Sequence, residues 1–163
     1  MVKVVVPENI KKSFREKWYD PRESSGYTVA YKPDPYVRIC LLDLKLFKGS
    51  HSRVETDDTN PEKVKLLVKL YYEIPKDPEL AVLATHSHPI EGLSPHLDLP
   101  WAKKLIPFGI EDILVIGPRT IASYHTSPGG IITPNNVEFS PEDAMPIGAG
   151  RKIDDIKKIL GIL

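Results

Sequence analysis

Two histidines separated by one residue, His86 and His88, have the clearest chemical potential in the sequence. They follow an almost wholly apolar run at residues 80–85. Side chains at positions i and i+2 of an extended segment point to the same face, so both imidazoles can reach one point in space. Asp98, ten residues after His88, adds a carboxylate. Two imidazoles and one carboxylate are a ligand set typical of catalytic zinc, which keeps its fourth position for water.

A buried strand and a capped helix are needed to position these three residues. Residues 80–85 are short, apolar and bounded by polar or proline residues, which is typical of a central strand covered on both faces. Ser94-Pro95 has the N-cap and first-position signature of a helix, so the pattern predicts a helix to about residue 105 that carries Asp98 in its first turn. The residues between 88 and 94 are long enough to fold the chain back toward the histidines.

The remaining segments alternate between strand and helix patterns. A first helix is predicted to open at Pro7 and run to about residue 20, and a second to run from Pro61 to about residue 73. Further strands are predicted at residues 3–6, 27–31, 36–47, 113–116 and 120–124. The alternation predicts a mixed α/β class, with one mixed sheet flanked by helices in a single domain over residues 1–163. Residues 141–163 are predicted to be a tail that ends in an amphipathic helix.

Composition excludes several classes of function. The 163 residues carry 22 Lys+Arg and 22 Asp+Glu, so the formal net charge is zero and gives no reason to expect nucleic acid or an anionic membrane as a partner. The single cysteine, Cys40, excludes an internal disulfide framework and a thiolate metal cluster, and is expected to be a small core residue. No apolar run approaches the ~20 residues that span a bilayer, and the start of the sequence lacks a signal-peptide core. We therefore expect a cytoplasmic protein with no membrane partner.

The amino-acid composition also bears on whether the protein comes from a thermophile. The sequence has no glutamine, two methionines and 16 prolines. Few thermolabile residues and many prolines are typical of thermophilic proteins, although sampling variation in a short chain accounts for the same numbers about as well.

An upstream motif joins the histidine pair in a recognisable pattern. Glu23-Ser24-Ser25-Gly26 opens a predicted strand, His86-Ser87-His88-Pro89 follows the central strand, and Ser94 and Asp98 lie at the next helix start. Together they resemble the JAMM (MPN-plus) metalloprotease family, and the order of elements is similar over roughly residues 2–124. The resemblance implies a JAMM/MPN-like fold, akin to the cytidine-deaminase-like architecture, and a zinc-dependent peptidase or isopeptidase activity.

The resemblance also implies a role for each site residue. His86, His88 and Asp98 would bind Zn²⁺, and Glu23 would accept a proton from water and pass it to the leaving amine. Ser94 would help to hold the oxyanion. The chain departs from the family at this serine, because Ser94 precedes Asp98 by four residues and Pro95 occupies the usual serine position. A role for Ser94 as an N-cap alone therefore stays open.

The implied substrate is an amide bond that follows the small-residue C-terminal tail of a ubiquitin-like or sulfur-carrier-like protein. The histidine strand and the strand after Glu23 must converge on one metal, which predicts a cleft across strand ends and along a sheet edge, where an extended tail can add by backbone hydrogen bonds. A non-catalytic MPN-type protein-binding module on the same fold is the alternative. The oligomeric state is left open, a dimer included.

Overall fold

The computed structural model describes residues 1–17, 24–48, 60–71, 79–89 and 95–144. Within these ranges the chain forms eight strands, three α-helices and one turn of 3-10 helix at Ile106–Phe108. The strands are β1 (Lys3–Pro7), β2 (Ser24–Tyr31), β3 (Val37–Lys48), β4 (Leu80–Ser87), β5 (Asp112–Ile116), β6 (Ile121–Thr126), β7 (Ile132–Pro134) and β8 (Asn136–Ser140). The helices are α1 (Glu8–Lys17), α2 (Pro61–Tyr71) and α3 (Pro95–Leu105).

All eight strands belong to one mixed sheet, in the order β7-β6-β5-β4-β2-β3-β1-β8. Strand β4, which carries His86 near its C-terminal end, lies between antiparallel β2 and parallel β5. Strand β2 pairs with β3 on its other side. Both β2 and β4 are therefore interior strands, as the apolar run at residues 80–85 predicts.

Strands β7 and β8 are separated by one residue in the chain, yet they stand at opposite ends of the strand order. Strand β7 pairs antiparallel with β6, and β8 pairs parallel with β1. Between them, the Asn135 N–H donates to the Ser123 carbonyl at 2.8 Å, and the Asn136 N–H donates to the Val2 carbonyl at 2.9 Å. The sheet is thus curved until its two ends meet along residues 132–140.

Helices cover both faces of this sheet with apolar side chains. One face packs against α2 and α3, and its buried cluster includes Tyr27, Val29, Leu44, Val64, Val68, Val82, Ala84, Ala102, Leu105 and Ile113. The other face packs against α1, and its buried cluster includes Val4, Val6, Ile10, Phe14, Ala30, Cys40, Leu83 and Leu114. The apolar residues of α1 and α2 recur at i, i+4, which is the spacing that puts them on one helix face.

Local signals explain where α2 begins. Asn60 is its N-cap, because the Asn60 Oδ1 accepts the N–H of Glu62 at 2.9 Å. Pro61 is the first helical residue, where a missing N–H removes no intrahelical bond.

The predicted α/β class is confirmed, and within the described residues a strand or helix lies in each segment where the patterns predict one. The observed strand bounds differ by a few residues: β2 begins at Ser24, and β4 continues to Ser87, so that His86 is inside the strand. Strands β7 and β8 were not predicted. The predicted amphipathic helix of the tail lies beyond residue 144, outside the described residues. None of the helices in the described ranges is long and apolar enough to cross a bilayer.

Candidate metal centre

His86, His88 and Asp98 meet at the C-terminal end of β4. The His86 Nε2 lies 2.8 Å from the His88 Nε2 and 2.8 Å from the Asp98 Oδ1. The His88 Nε2 lies 3.4 Å from the same carboxylate oxygen. The structure therefore brings together, on one small triangle of donor atoms, the three residues that the sequence selects.

The backbone holds each corner of this triangle. Strand β4 pairs His86 with Val115 of β5. Just beyond the end of β4, the His88 N–H donates to the Ile116 carbonyl at 2.9 Å, which keeps His88 beside β5 as well. Asp98 is in the first turn of α3, where the helix macrodipole favours a carboxylate. Proline at the first position fixes the entry into this helix at little cost.

Proton counting shows that hydrogen bonds alone do not account for the triangle. A neutral imidazole nitrogen offers either one N–H or one lone pair in the ring plane. The His86 Nε2 nevertheless has two partners at 2.8 Å, the His88 Nε2 and the Asp98 Oδ1. A single N–H cannot point along both directions. A cation at the centre accepts one lone pair from each of the three atoms and so satisfies all of them.

The dimensions of the triangle also suit zinc. Tetrahedral coordination with zinc–nitrogen distances of about 2.0–2.1 Å separates neighbouring ligand atoms by about 3.3 Å. The observed separations of 2.8, 2.8 and 3.4 Å are within about half an ångström of that value. His86 is 5% exposed and Asp98 4% exposed, so the centre is largely shielded, while His88 is only partly buried. The donor set fits zinc.

Trp101 forms a wall of this centre that the sequence did not reveal. Its ring meets the His86 ring edge to face, at 4.5 Å between ring centroids and 88° between planes. The sequence pattern predicts Trp101 only as a helix-packing residue. Its spacing of three from Asp98 is the signal that could have linked it to the site, because residues i and i+3 lie on the same face of a helix.

Glu23 and Ser94, the predicted catalytic residues, lie outside the described residues. Their nearest described neighbours are Ser24, the first residue of β2, and Pro95, the first residue of α3. Ser25 is paired directly with His86 across the β2–β4 ladder. The chain segment that follows Glu23 therefore runs beside the metal centre.

The order of strands in the sheet restricts where the predicted cleft along a sheet edge can lie. Strands β2 and β4 have strand partners on both sides, so neither of them presents an edge. Strand β1 pairs with β3 only over Val37–Ile39. From Cys40 onward, no strand of the described residues pairs with that side of β3.

A second cluster of ligand-type side chains lies at the other end of the same strands. Asp112 begins β5, Glu111 directly precedes it, and His125 of β6 is paired with Asp112. The His125 Nδ1 lies 2.9 Å from the Asp112 Oδ1, and the Asn135 Nδ2 donates to the same oxygen at 3.0 Å. Their spacing alone would allow a metal ion.

Arg38 supplies the positive charge of this second cluster. Its Nε donates to the Asp112 Oδ2 at 3.1 Å, its Nη2 lies 3.7 Å from Glu111, and its side chain is 1% exposed. Burial pushes the pKa of Asp112 upward, but the hydrogen bond from His125 and the charge of Arg38 outweigh it, so the pKa is below its ordinary value. The hydrogen bond to Asp112 raises the pKa of His125. The cluster is a buried ion-pair network.

No motif in the sequence indicates a partner for His125, and the structure supplies one in Asp112. The partner was recoverable from the predicted hairpin around Gly117-Pro118, because its register sets His125 directly opposite Asp112. The expectation for Cys40 is confirmed: the residue is fully buried. Burial and the charge of Asp43 raise the pKa of its thiol to about 12, so Cys40 is no thiolate ligand at neutral pH.

Comparison with known proteins adds no family assignment. No family model matches the chain, and no curated protein is similar to it at a significant level. The geometry of the metal centre is therefore the basis on which a function can be argued.

Proposed function

We propose that this protein is a zinc-dependent peptidase or isopeptidase of the JAMM type. The observation that carries the proposal is the convergence of His86, His88 and Asp98 on one triangle of donor atoms with dimensions that suit zinc. Three protein ligands leave a fourth position for water or substrate, which distinguishes a catalytic zinc site from a closed structural one. The order of strands and helices around the centre adds support, because it is the order that the sequence resemblance implies.

The chain's own residues would divide the work of amide hydrolysis. His86, His88 and Asp98 would hold the metal at the end of β4. When bound, zinc supplies Lewis acidity toward an amide carbonyl and acidifies a water molecule. The Glu23 carboxylate would take the proton from that water and deliver it to the leaving amine nitrogen. The Ser94 hydroxyl would donate a hydrogen bond to the developing oxyanion.

The proposed substrate is an extended chain that ends in small residues, such as the C-terminal tail of a ubiquitin-like or sulfur-carrier-like protein. The metal centre lies at the ends of interior strands, so the tail must cross strand ends to reach it. Residues 40–44 of β3, which lack a described strand partner on the side away from β2, are buried, so the tail would reach the centre across the strand ends rather than by adding to β3 there. Glycine-like residues before the scissile bond avoid crowding the histidine ligands.

The test uses the zinc-loaded protein and a pair of fusion substrates. One fusion joins a ubiquitin-like modifier to a reporter through a diglycine tail, and the other carries bulky residues before the same bond. We expect cleavage of the diglycine fusion only. Glu23→Gln should keep zinc and lose hydrolysis, because an amide preserves the shape of the base but cannot accept the proton. Equal cleavage of both fusions, or full activity of Glu23→Gln, would contradict the proposal.

A non-catalytic module that binds such a modifier is the second candidate. The observation that favours it is Pro95 at the position where the family has its serine. A zinc-loaded wild-type protein that retains the modifier on a column and leaves every fusion intact would identify this alternative.

A further inference from the structure

Two buried polar atoms without a hydrogen-bond partner belong to neighbouring residues beside the metal centre. Within the described residues, three buried side-chain atoms lack a partner: Ser25 Oγ, His86 Nδ1 and Asn135 Oδ1. The first two belong to residues that are paired directly across the antiparallel β2–β4 ladder. Directly paired residues share one face of the sheet, with their Cβ atoms about 4.5–5.5 Å apart. Two of the three unsatisfied atoms are therefore neighbours.

Chemistry requires a partner at one of these atoms. A histidine that ligates a metal through Nε2 carries its proton on Nδ1, and that N–H is almost always donated to an acceptor that fixes the ring and its tautomer. Leaving a buried donor unpaired costs about 1–3 kcal/mol. The His86 ring is already packed on one side by Trp101. Its Nδ1 still needs an acceptor.

We propose that Ser25 is the positioning residue of the metal centre: its hydroxyl accepts the Nδ1–H of His86, directly or through one buried water. Ser25 is fully buried, so bulk solvent is not its partner. A serine hydroxyl has two acceptor lone pairs, and its Oγ can change between staggered χ1 rotamers, so it can turn toward the imidazole without moving the backbone. The bond fixes the tautomer in which Nε2 offers its lone pair to the metal.

This inference gives a function to a second part of the Glu23-Ser24-Ser25-Gly26 motif. Glu23 is the proposed base, and Ser25, two residues later, would hold the first histidine ligand. One short strand start would thus supply both a proton acceptor for water and a support for the metal. The inference rests on the proposed zinc site, but it does not depend on hydrolysis.

The experiment compares zinc affinity among wild type, Ser25→Ala, Ser25→Thr and Ser123→Ala, by competition with a chelator of known affinity. Ser123→Ala is the matched control, because it removes a buried hydroxyl from β6 whose bond runs to the Ile113 carbonyl. We expect Ser25→Ala to bind zinc about 10–100-fold more weakly, which is the usual effect of removing a partner of a metal-bound histidine. Ser25→Thr keeps the hydroxyl and should keep most of the affinity. Ser123→Ala should match wild type.

A spectroscopic measurement on wild type makes the test independent of how well each variant folds. In the zinc-loaded protein, nitrogen-15 NMR should show His86 protonated at Nδ1, with a proton that exchanges slowly with solvent, and Ser25→Ala should lose that protection. Unchanged zinc affinity in Ser25→Ala, or a rapidly exchanging Nδ1 proton in wild type, would overturn the inference. A wild-type protein that binds no zinc would overturn it together with the proposed function. A protein that binds zinc but cleaves nothing would overturn the peptidase proposal alone, while weaker zinc binding by Ser25→Ala would still support the role of Ser25.

Discussion

The two ends of strands β4 and β5 carry clusters of similar side-chain composition, which differ in how the carboxylate charge is balanced. At one end, His86, His88 and Asp98 crowd three donor atoms around a common centre. At the other end, Asp112 and His125 lie in the same range of distances, but a guanidinium lies against the carboxylates. In the first cluster one imidazole nitrogen has two close partners, whereas in the second both carboxylate oxygens of Asp112 accept hydrogen bonds from side chains of the protein.

The difference shows that ligand types and spacing do not define a metal site. Asp112 has a partner for each carboxylate oxygen, with His125 and Asn135 on one and Arg38 on the other. A divalent cation there would have to compete with a buried arginine for the same charge. At the His86 centre, one nitrogen has two partners at 2.8 Å, a carboxylate oxygen and a second imidazole nitrogen, and a cation at the centre would bind all three atoms.

The largest expected effect is on metal content. Wild type should bind one zinc per chain, and His86→Ala should bind almost none, because loss of one of three protein ligands leaves the metal poorly held. His125→Ala should retain the wild-type stoichiometry. Elemental analysis after purification without chelator measures all three. Loss of zinc in His125→Ala together with retention in His86→Ala would reverse the roles of the two clusters.

The two aspartates should differ next in their effect on stability. In chelator, Asp112→Asn should lower the free energy of unfolding by about 3 kcal/mol, because it leaves the buried Arg38 with the half-exposed Glu111 as its remaining carboxylate partner. Asp98→Asn should change it by only about 1 kcal/mol, since the amide oxygen still accepts a hydrogen bond from histidine. Urea titration of the two variants measures both values. Equal destabilisation would mean that the His86 centre is also a structural network.

Trp101 should have a smaller effect on the metal centre than the ligands do. Trp101→Leu removes the ring that packs edge to face on His86, so the imidazole gains freedom and zinc should bind about tenfold more weakly. Tyr124→Leu removes an aromatic ring that packs against the same apolar cluster, and serves as the control. If both variants bound zinc equally well, the Trp101 contact would be packing alone.

The smallest expected effect is a pH dependence confined to the second cluster. His125 has a folded-state pKa raised above its ordinary value of 6.5, so its stabilisation is fully present below that value and is lost as the pH rises through the raised pKa. The stability advantage of wild type over His125→Gln should therefore shrink as the pH rises above the ordinary pKa of 6.5 and passes through the raised pKa. Thermal unfolding in chelator across this range measures it. An advantage that grows with pH would contradict the Asp112–His125 pair.

The sequence predicted most of the fold because its signals are local. Asn60-Pro61 and Ser94-Pro95 fix the starts of α2 and α3, and the apolar run before His86 identifies an interior strand. Strands β7 and β8 escaped prediction for physical reasons: β7 has three residues, one of them Pro134, and β8 is mostly exposed, so neither has a strong apolar alternation. Their pairing depends on β6 and β1, which are distant in the chain.

The metal ligands were predictable and their surroundings were not. His86 and His88 share a face by the two-residue period of a strand, and Asp98 needs only a chain reversal to join them. The contacts of Ser25, Trp101 and Arg38 depend on strand register and on helix rotation, which no short motif encodes. Such contacts become visible only when the order of strands in the sheet is known.

Because residues 132–140 close the sheet, the pairing of its strands cannot be completed until this stretch has been synthesised. Strand β1 leaves the ribosome first, but its outer partner β8 is among the last described segments to be made. Until then the outer edges of β1 and β6 are both unpaired, and an open strand edge is a template for association with other chains. A chain that stopped at Gly130 would carry both open edges permanently. Residues 132–140 therefore cover two open strand edges of the described sheet at once, one on β6 and one on β1.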